Sequence, residues 1–147
     1  GGHMFFWDQH KKVTSCYAMF ARNVCEKNHL TKMEYDILMF LHNNPQYHTA
    51  ADIVKIYKAA KSHVSSSLKS LESRGMIKRI QSDANKKHIE IVLLEEALPV
   101  IEDGIRAQKE FAKTVLSGLT EEEKHLCQGI FERICRNADE YLKKCVG

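Results

Sequence analysis

The amino-acid sequence predicts a mainly α-helical fold with one small β-hairpin. Residues 49–73 contain two short helical patterns separated by a turn, and residues 76–93 contain two short apolar strands around a polar tip. Longer amphipathic patterns with helical spacing lie on both sides of this region. The order helix, turn, helix and hairpin is that of a winged helix-turn-helix lobe, here flanked by N- and C-terminal helices that we expect to form a dimer.

The segment before residue 49 is predicted to form two helices. Residues 1–4, Gly-Gly-His-Met, resemble the remnant of a cleaved tag and are excluded from the predicted fold. Apolar side chains at helical spacing mark the first helix: Phe6, Val13, Tyr17, Phe20 and Val24. Thr31 and Glu34 have the spacing of a capping box that opens the second helix, and the Asn-Asn-Pro sequence at residues 43–45 ends it.

A third helix, a fourth helix and the hairpin make up the predicted winged lobe. Thr49 and Asp52 have the spacing of a cap for the third helix, and Gly75 ends the fourth. The positions predicted to be buried in these two helices are Ile53, Val54, Tyr57, Ala60, Val64, Leu68 and Leu71. The two strands are predicted at residues 76–80 and 89–93, with polar residues between them.

Two helices are predicted after the hairpin. The first covers residues 95–117, and a capping box formed by Thr120 and Glu123 opens the second. The last helix carries two neighbouring apolar rows, Leu126, Ile130, Ile134, Tyr141 and Cys145 in one and Cys127, Phe131, Cys135 and Leu142 in the other. A terminal helix with so wide an apolar face must bury it, and we expect a second copy of the chain to cover it.

The net charge of +3 is unevenly distributed along the 147 residues. Residues 49–94 contain nine Lys and Arg side chains against four Asp and Glu, whereas residues 95–147 contain eight against eleven. The positive charge therefore lies in the predicted winged lobe, as binding of a polyanion requires. No run approaches the ~20 apolar residues of a membrane span, so we expect no membrane partner and a cytoplasmic protein.

The outward face of the fourth helix is the candidate DNA-reading surface. It consists of Lys61, Ser62, His63, Ser65, Ser66 and Lys69. Short hydroxyl side chains let a helix approach base edges closely, and lysines attract phosphates. The alternative is a solvated helix face, but serine is a poor helix former and gives such a face little local advantage. At the hairpin tip, Lys86 and Lys87 are expected to contact phosphates or the minor groove of double-stranded DNA.

Residues 30–94 resemble the multiple-antibiotic-resistance regulator (MarR) family. Residues 48–57 are similar to the family's LTxxELAxxL stretch, and residues 61–77 are similar in register to its recognition helix, xSTVSRxxxxLExxGLI. The departures are Lys58 in place of a frequent turn glycine, Asn85, Lys86 and Lys87 in place of Asp-Arg-Arg at the wing, and Leu94 in place of Thr.

The resemblance implies a homodimeric DNA-binding transcription regulator, most often a repressor. It also implies a small-molecule effector, bound between the dimerisation helices and the DNA-binding lobe, that releases a palindromic operator. On this basis residues 5–147 form a single MarR-like domain, with dimerisation helices at 5–30 and 95–147 and the DNA-binding lobe at 31–94.

Two alternatives stay open on the same scaffold. Cys16 and Tyr35 resemble the reactive cysteine and one partner tyrosine of the family's peroxide-sensing branch, although the segment after Cys16 is shorter here and the second tyrosine position is Lys32. A metal-responsive regulator is the other alternative. Cys25 and His29 share a helix face but supply only two of the roughly four ligands that zinc takes, so no metal site is expected.

A third alternative is a winged helix that serves only protein–protein contact, which the positive charge of the lobe disfavours. The five cysteines include no Cys-x-x-Cys pair, and most are expected to be reduced core thiols. The sequence contains no nucleophile–base pairing, glycine-rich phosphate loop or zinc-protease motif. We therefore expect no catalytic residues, no enzymatic activity and no cofactor.

Overall fold

The computed structural model describes the backbone of residues 2–85 and 87–146 and the side chains of residues 8–85 and 87–145. Its elements in chain order are α1 (Gly2–Asn28), α2 (Lys32–Asn43), α3 (Ala50–Tyr57), α4 (Lys61–Ser73), β1 (Ile77–Gln81), β2 (Ile89–Leu93), a 3₁₀ turn (Glu95–Ala97), α5 (Leu98–Val115) and α6 (Glu121–Val146). The mainly helical fold with one hairpin is confirmed. Helix α1 begins at Gly2, inside the tag-like segment.

The contacts divide into two compact units, Gly1–Phe111 and Ala112–Gly147, and the boundary falls within α5. The first unit contains the winged lobe and the core, and the second consists mainly of α6. The expected single domain over residues 5–147, with its division into lobe and dimerisation helices, stays a prediction. None of the described helices is both long and apolar enough to cross a membrane.

Capping boxes begin α2 and α3, as their spacing predicts. The backbone N–H of Glu34 donates to Thr31 Oγ1 at 3.1 Å, and the N–H of Thr31 donates to Glu34 Oε1 at 2.9 Å. Thr49 and Asp52 make the same reciprocal pair at 3.1 and 3.2 Å. Each box supplies two partners at a helix start whose first N–H groups have none within the helix. A third box, between Thr120 and Glu123, begins α6.

Two turn residues adopt left-handed backbone conformations in the winged lobe. Gly75 follows the end of α4 at φ 73°, as expected for a glycine after a helix. Lys58, which ends α3, has φ 48°, and a non-glycine residue there costs about 1–2 kcal/mol. The turn therefore keeps the conformation that a glycine would favour, although this chain has a lysine.

Helix α2 lies at the centre of the core of the first unit. Tyr35, Ile37 and Leu38 are fully buried, and the hydrophobic cluster around them includes side chains from α1, α3, α4, α5 and both strands. Gly104 of α5 lies directly against Met39, because a Cβ at this position would overlap the Met39 thioether. The glycine therefore sets the close approach of α5 to α2.

One prediction of burial is wrong within the single chain. Ala60 is exposed because α4 begins at Lys61, which makes Ala60 the residue before the helix rather than part of its inner face. On α1, Val13 belongs to the predicted apolar row and is 49% exposed in the single chain. In α3, Ile53 is fully buried, whereas Val54 and Tyr57 are half-buried and pack against the core.

The hairpin has regular antiparallel pairing, from Ile77 opposite Leu93 to Gln81 opposite Ile89. Strand β1 is therefore shifted by one residue from the predicted 76–80. The second edge of β2 is joined to the segment before α3, since the Ile91 N–H donates to the His48 carbonyl at 2.7 Å. The wing is thus joined through β2 to the segment that precedes α3.

Candidate DNA-binding surface

The recognition helix α4 has one buried and one exposed face. Val64, Leu68 and Leu71 are at most 2% exposed and fix the inner face in the core. Every predicted DNA-contacting residue of this helix is exposed: Lys61, Ser62, His63, Ser65, Ser66 and Lys69. Ser67, by contrast, is only 5% exposed and belongs to the buried inner face. The structure thus brings the six predicted residues onto one surface, and their contact with DNA stays a prediction.

The first turn of α4 is arranged to meet an anion. Ala60 provides no side-chain cap, in contrast to the threonines that begin α2 and α3. The N–H groups of the first helical turn and the helix dipole make this end electropositive, and Lys61 adds a full positive charge beside it. A DNA phosphate at this end would satisfy groups that no side chain caps.

Arg79 holds the wing against the recognition helix. Its guanidinium donates to Glu72 Oε1 from Nε at 3.1 Å and from the terminal nitrogen Nη2 at 2.9 Å, and its backbone N–H donates to Oε2 at 3.1 Å. These hydrogen bonds lower the pKa of the Glu72 carboxyl. The pairing with Glu72 shows that Arg79 joins β1 to α4.

A groove of about 520 Å³ lies between α3, α4 and the wing. Its wall includes three cationic side chains, Lys61, Arg79 and Lys87, and its floor is mostly apolar. Ala50 and Ala51, the small residues that begin α3, also line the groove. Cations from three elements around one groove are an arrangement that can follow a phosphate backbone. The sequence reasoning left Arg79 out of the site, although the alternation along β1 puts it on the same face as buried Ile77.

The wing tip is closed by local hydrogen bonds. The Lys87 N–H donates to Asn85 Oδ1 at 3.1 Å, and the Asn85 N–H donates to Ser82 Oγ at 3.3 Å. Asn85, which replaces the usual acidic residue of the family wing, therefore orders its own turn. Lys87 is exposed as predicted. Lys86 lies outside the described residues.

A second cavity, of about 500 Å³, lies between α1, α2, α3 and α5 within the first unit. Aromatic rings form much of its wall, with centroids of Tyr17 and Phe111 5.2 Å apart and those of Phe40 and Tyr57 5.7 Å apart. Gln108 Nε2 donates to the Tyr17 hydroxyl at 3.3 Å. Burial raises the pKa of Tyr57 to about 12, so this phenol stays neutral. The cavity thus offers aromatic faces, a few neutral polar groups and the ion pair of Lys32 with Asp36.

The residues considered for redox or metal sensing are Cys16, Tyr35, Cys25 and His29. The Tyr35 hydroxyl lies 2.7 Å from that of Tyr17, and Cys16 is half-buried. Burial raises the pKa of the Cys25 thiol, which lies 3.8 Å from the Thr31 carbonyl. Such a thiol is a poor nucleophile. Within residues 8–85 and 87–145, no group of three His, Cys, Asp or Glu side chains is arranged to hold a metal ion.

Comparison with known proteins identifies this architecture. Residues 30–88 match the model of the MarR family. The chain is 26% identical over 118 residues to YybA, an uncharacterized HTH-type transcriptional regulator of Bacillus subtilis, with 78% of each chain covered. Its fold is similar to the crystal structure of MarR, with a TM-score of 0.81 and 16% identity over 93% of this chain and 92% of that one. A MarR family transcriptional regulator from Listeria monocytogenes complexed with 26mer DNA has a TM-score of 0.77 and 22% identity, covering 97% and 94%.

Proposed function

We propose that this chain, whose residues 30–88 match the model of the MarR family, is a homodimeric repressor of that family of DNA-binding transcriptional regulators. Each subunit inserts α4 into a major groove and lays its wing beside it, so the operator is a near-palindrome with half-sites about one helical turn apart. A small-molecule effector lowers the affinity for that operator. The family comprises transcriptional regulators rather than enzymes.

The observation that carries this proposal is the groove between recognition helix and wing. Its three cations come from α4, β1 and the wing tip, and the serine-rich face of α4 lies next to it. Lys61, Arg79 and Lys87 suit the phosphate backbone, whereas Ser62 and His63, at the leading end of the helix, suit base edges. The DNA complex of the Listeria relative supports this use of the fold.

Dimerisation is supported by the apolar surface of α6. Leu126, Phe131 and Tyr141 are each more than 60% exposed in the single chain. Monomeric proteins rarely expose large contiguous apolar patches, and a two-fold interface covers such a patch on both copies at once. We propose that α1, α5 and α6 of two copies form this interface, which links the two recognition helices.

Effector binding is supported by the aromatic cavity between α1, α2, α3 and α5. It adjoins α3, the first helix of the helix-turn-helix, and contains the neutral Tyr57 hydroxyl and the Gln108 amide. A ligand that binds this cavity more tightly in one arrangement of the lobe shifts the population towards that arrangement. The operator is released if, in that arrangement, the distance between the two recognition helices no longer matches the spacing of the half-sites.

The test of base reading is a binding-site selection with the purified protein and its variants. Ser62→Ala and His63→Ala should change which bases are preferred, at about 1–3 kcal/mol per lost base contact. Lys69→Ala should lower the affinity for specific and nonspecific DNA alike, because it removes a phosphate contact. Lys12→Ala, on α1 away from the groove, is the matched control. Unchanged base preference in both the Ser62 and His63 variants would contradict the assigned reading face.

The test of the wing is the salt dependence of binding. Replacing Lys86 and Lys87 with Ala should reduce the slope of log affinity against log salt by about one to two per subunit, because fewer counterions are released. The loss of affinity should be similar for all sequences. A slope equal to that of the wild type would mean that the wing tip does not contact the backbone.

A further inference from the structure

The C-terminal half of the recognition helix is held by a buried carboxylate. Ser70 Oγ of α4 donates to Glu34 Oε2 at 2.8 Å, and the Thr31 N–H donates to Glu34 Oε1 at 2.9 Å. Glu34 is only 5% exposed. Both oxygens of this carboxylate are therefore engaged, one with the start of α2 and one with the recognition helix.

A second contact joins the end of α4 to the end of α1. Arg74, the residue that follows α4, donates to the carbonyl of Asn28 at 2.8 Å and to that of His29 at 2.9 Å. The last carbonyls of a helix have no partner within it, so the guanidinium satisfies groups that would otherwise be left to water. Glu34 and Arg74 thus tie α4 to the α1–α2 junction, defined here as residues 28–34.

The same junction is fastened to α5 on its other side. Asn28 Nδ2 donates to Asp103 Oδ2 at 3.2 Å, and Lys27 Nζ lies 3.2 Å from the same carboxylate. Arg106 also pairs with Asp103, whose side chain is 11% exposed. Directional polar contacts therefore run from α5 through the α1–α2 junction to the recognition helix.

The apolar inner face of α4 does not by itself fix the direction of the helix. Dispersion and hydrophobic contacts at Val64, Leu68 and Leu71 are non-directional, whereas hydrogen bonds are sensitive to angle. Residues 62 and 74 are about 18 Å apart along a helix that rises 1.5 Å per residue. A tilt of about 10° at the Arg74 end would move Ser62 by about 3 Å, which is close to the 3.4 Å spacing of successive base pairs.

We propose that Glu34, Ser70 and Arg74 are positioning residues that orient the recognition helix on the α1–α2 junction and thereby set the spacing of operator half-sites that the dimer accepts. The proposal rests on the proposed dimeric binding to DNA. It assigns these residues no contact with DNA. Their effect is on how sharply the protein rejects an operator whose half-sites are one base pair too close or too far apart.

The experiment measures affinity for three operators, the selected site and versions with one base pair added or removed between the half-sites. Ser70→Ala and Arg74→Ala should flatten the spacing profile, reducing the preference for the selected spacing by about five-fold or more. Affinity for nonspecific DNA should be unchanged. Ser70→Thr, which keeps the hydroxyl, should restore the wild-type profile.

Ser73→Ala is the matched control for Ser70→Ala. Ser73 Oγ donates to the Ser70 carbonyl at 2.8 Å. Ser73→Ala therefore removes a hydrogen bond of the same length as Ser70→Ala does, but one that lies within α4 and does not reach the α1–α2 junction. Its spacing profile should equal that of the wild type. Ser66→Ala, on the reading face, should weaken all three operators by the same factor.

The positioning role is overturned if Ser70→Ala and Arg74→Ala keep the wild-type spacing profile while their melting temperatures fall, since the contacts would then be structural only. Ser70→Ala removes a single oxygen and keeps the assay available if Arg74→Ala does not fold. If the wild-type protein shows no preferred spacing at all, it is the proposed dimeric binding that fails.

Discussion

Many apolar side chains of the winged lobe are buried within the single chain, whereas those of the two apolar rows of helix α6 are exposed. In the lobe, Ile53, Leu68 and Leu71 are at most 2% exposed, whereas on α6 Phe131 and Tyr141 are 63% and 68% exposed. Both regions have clear helical periodicity in the sequence. Periodicity therefore indicates which face of a helix is apolar, but not whether the same chain covers it. The lobe completes its core within one chain, and we propose that α6 requires a second.

The largest expected effect comes from placing charge on the uncovered face of α6. Ile130→Glu combined with Phe131→Glu should convert the dimer to a monomer, because two carboxylates would be buried without partners. Operator affinity should fall on the order of 100-fold or more, the gain that linked binding modules provide. Light scattering and fluorescence anisotropy measure the two outcomes.

The control for this variant is Arg136→Glu, which places a carboxylate on the exposed face of the same helix opposite the two apolar rows. It should leave the mass at that of the dimer. A dimer that persists in the Ile130 and Phe131 double variant would show that α6 does not form the interface.

A matched pair of leucines extends the comparison to stability. Leu68→Ala in the lobe, at 2% exposure, should lower the free energy of unfolding by about 2–5 kcal/mol at any protein concentration. Leu126→Ala on α6, at 63% exposure, should have an effect only through dimerisation. Urea unfolding at two protein concentrations separates these cases. An equal, concentration-independent loss in both variants would mean that α6 is covered within its own chain.

Features of this fold that depend on residues close together in the chain could be predicted from the sequence, whereas contacts between distant residues could not. The capping boxes at Thr31 and Thr49 depend on residues three apart, so spacing alone is enough to find them. The exposed face of α4 follows from the spacing of its buried residues. Contacts between distant residues left no such pattern. Arg74 reaches carbonyls 45 and 46 residues earlier in the chain, and only the folded arrangement shows it.

Two glycines test the same contrast with a smaller expected effect. Gly104→Ala should destabilise the protein by about 1–3 kcal/mol, since the new methyl overlaps Met39, which is 3% exposed and has little room to move. Gly129→Ala on α6 meets no atom within 4 Å in the single chain. It should stabilise the helix by about 0.5–1 kcal/mol. Thermal unfolding measures both, and a destabilised Gly129→Ala dimer would locate the close approach of the partner copy at this residue.

The smallest expected effects concern two aspartates and their dependence on pH. Burial opposes ionisation of Asp103, but hydrogen bonds from Asn28, Lys27 and Arg106 outweigh it and lower the pKa of this carboxyl in the folded state. The folded protein therefore binds this proton less readily than the unfolded chain does. The resulting stability is fully present above the ordinary aspartate pKa of about 3.9 and is lost as pH falls through the lower folded value.

Asp103→Asn should accordingly reduce the free energy of unfolding at pH 7, and the difference from the wild type should shrink at acidic pH. Asp139→Asn is the counterpart on α6, where the carboxylate pairs with Lys143 and the side chain is 63% exposed. An exposed pair of this kind contributes about 0.5 kcal/mol or less, because solvent screens it. Urea unfolding of both variants at pH 7 and pH 3 is the measurement. If Asp103→Asn lowers the free energy of unfolding by the same amount at both pH values, the lowered pKa of Asp103 is contradicted. The contacts of Asp103 with the α1–α2 junction would then stabilise the protein without any contribution from its charge.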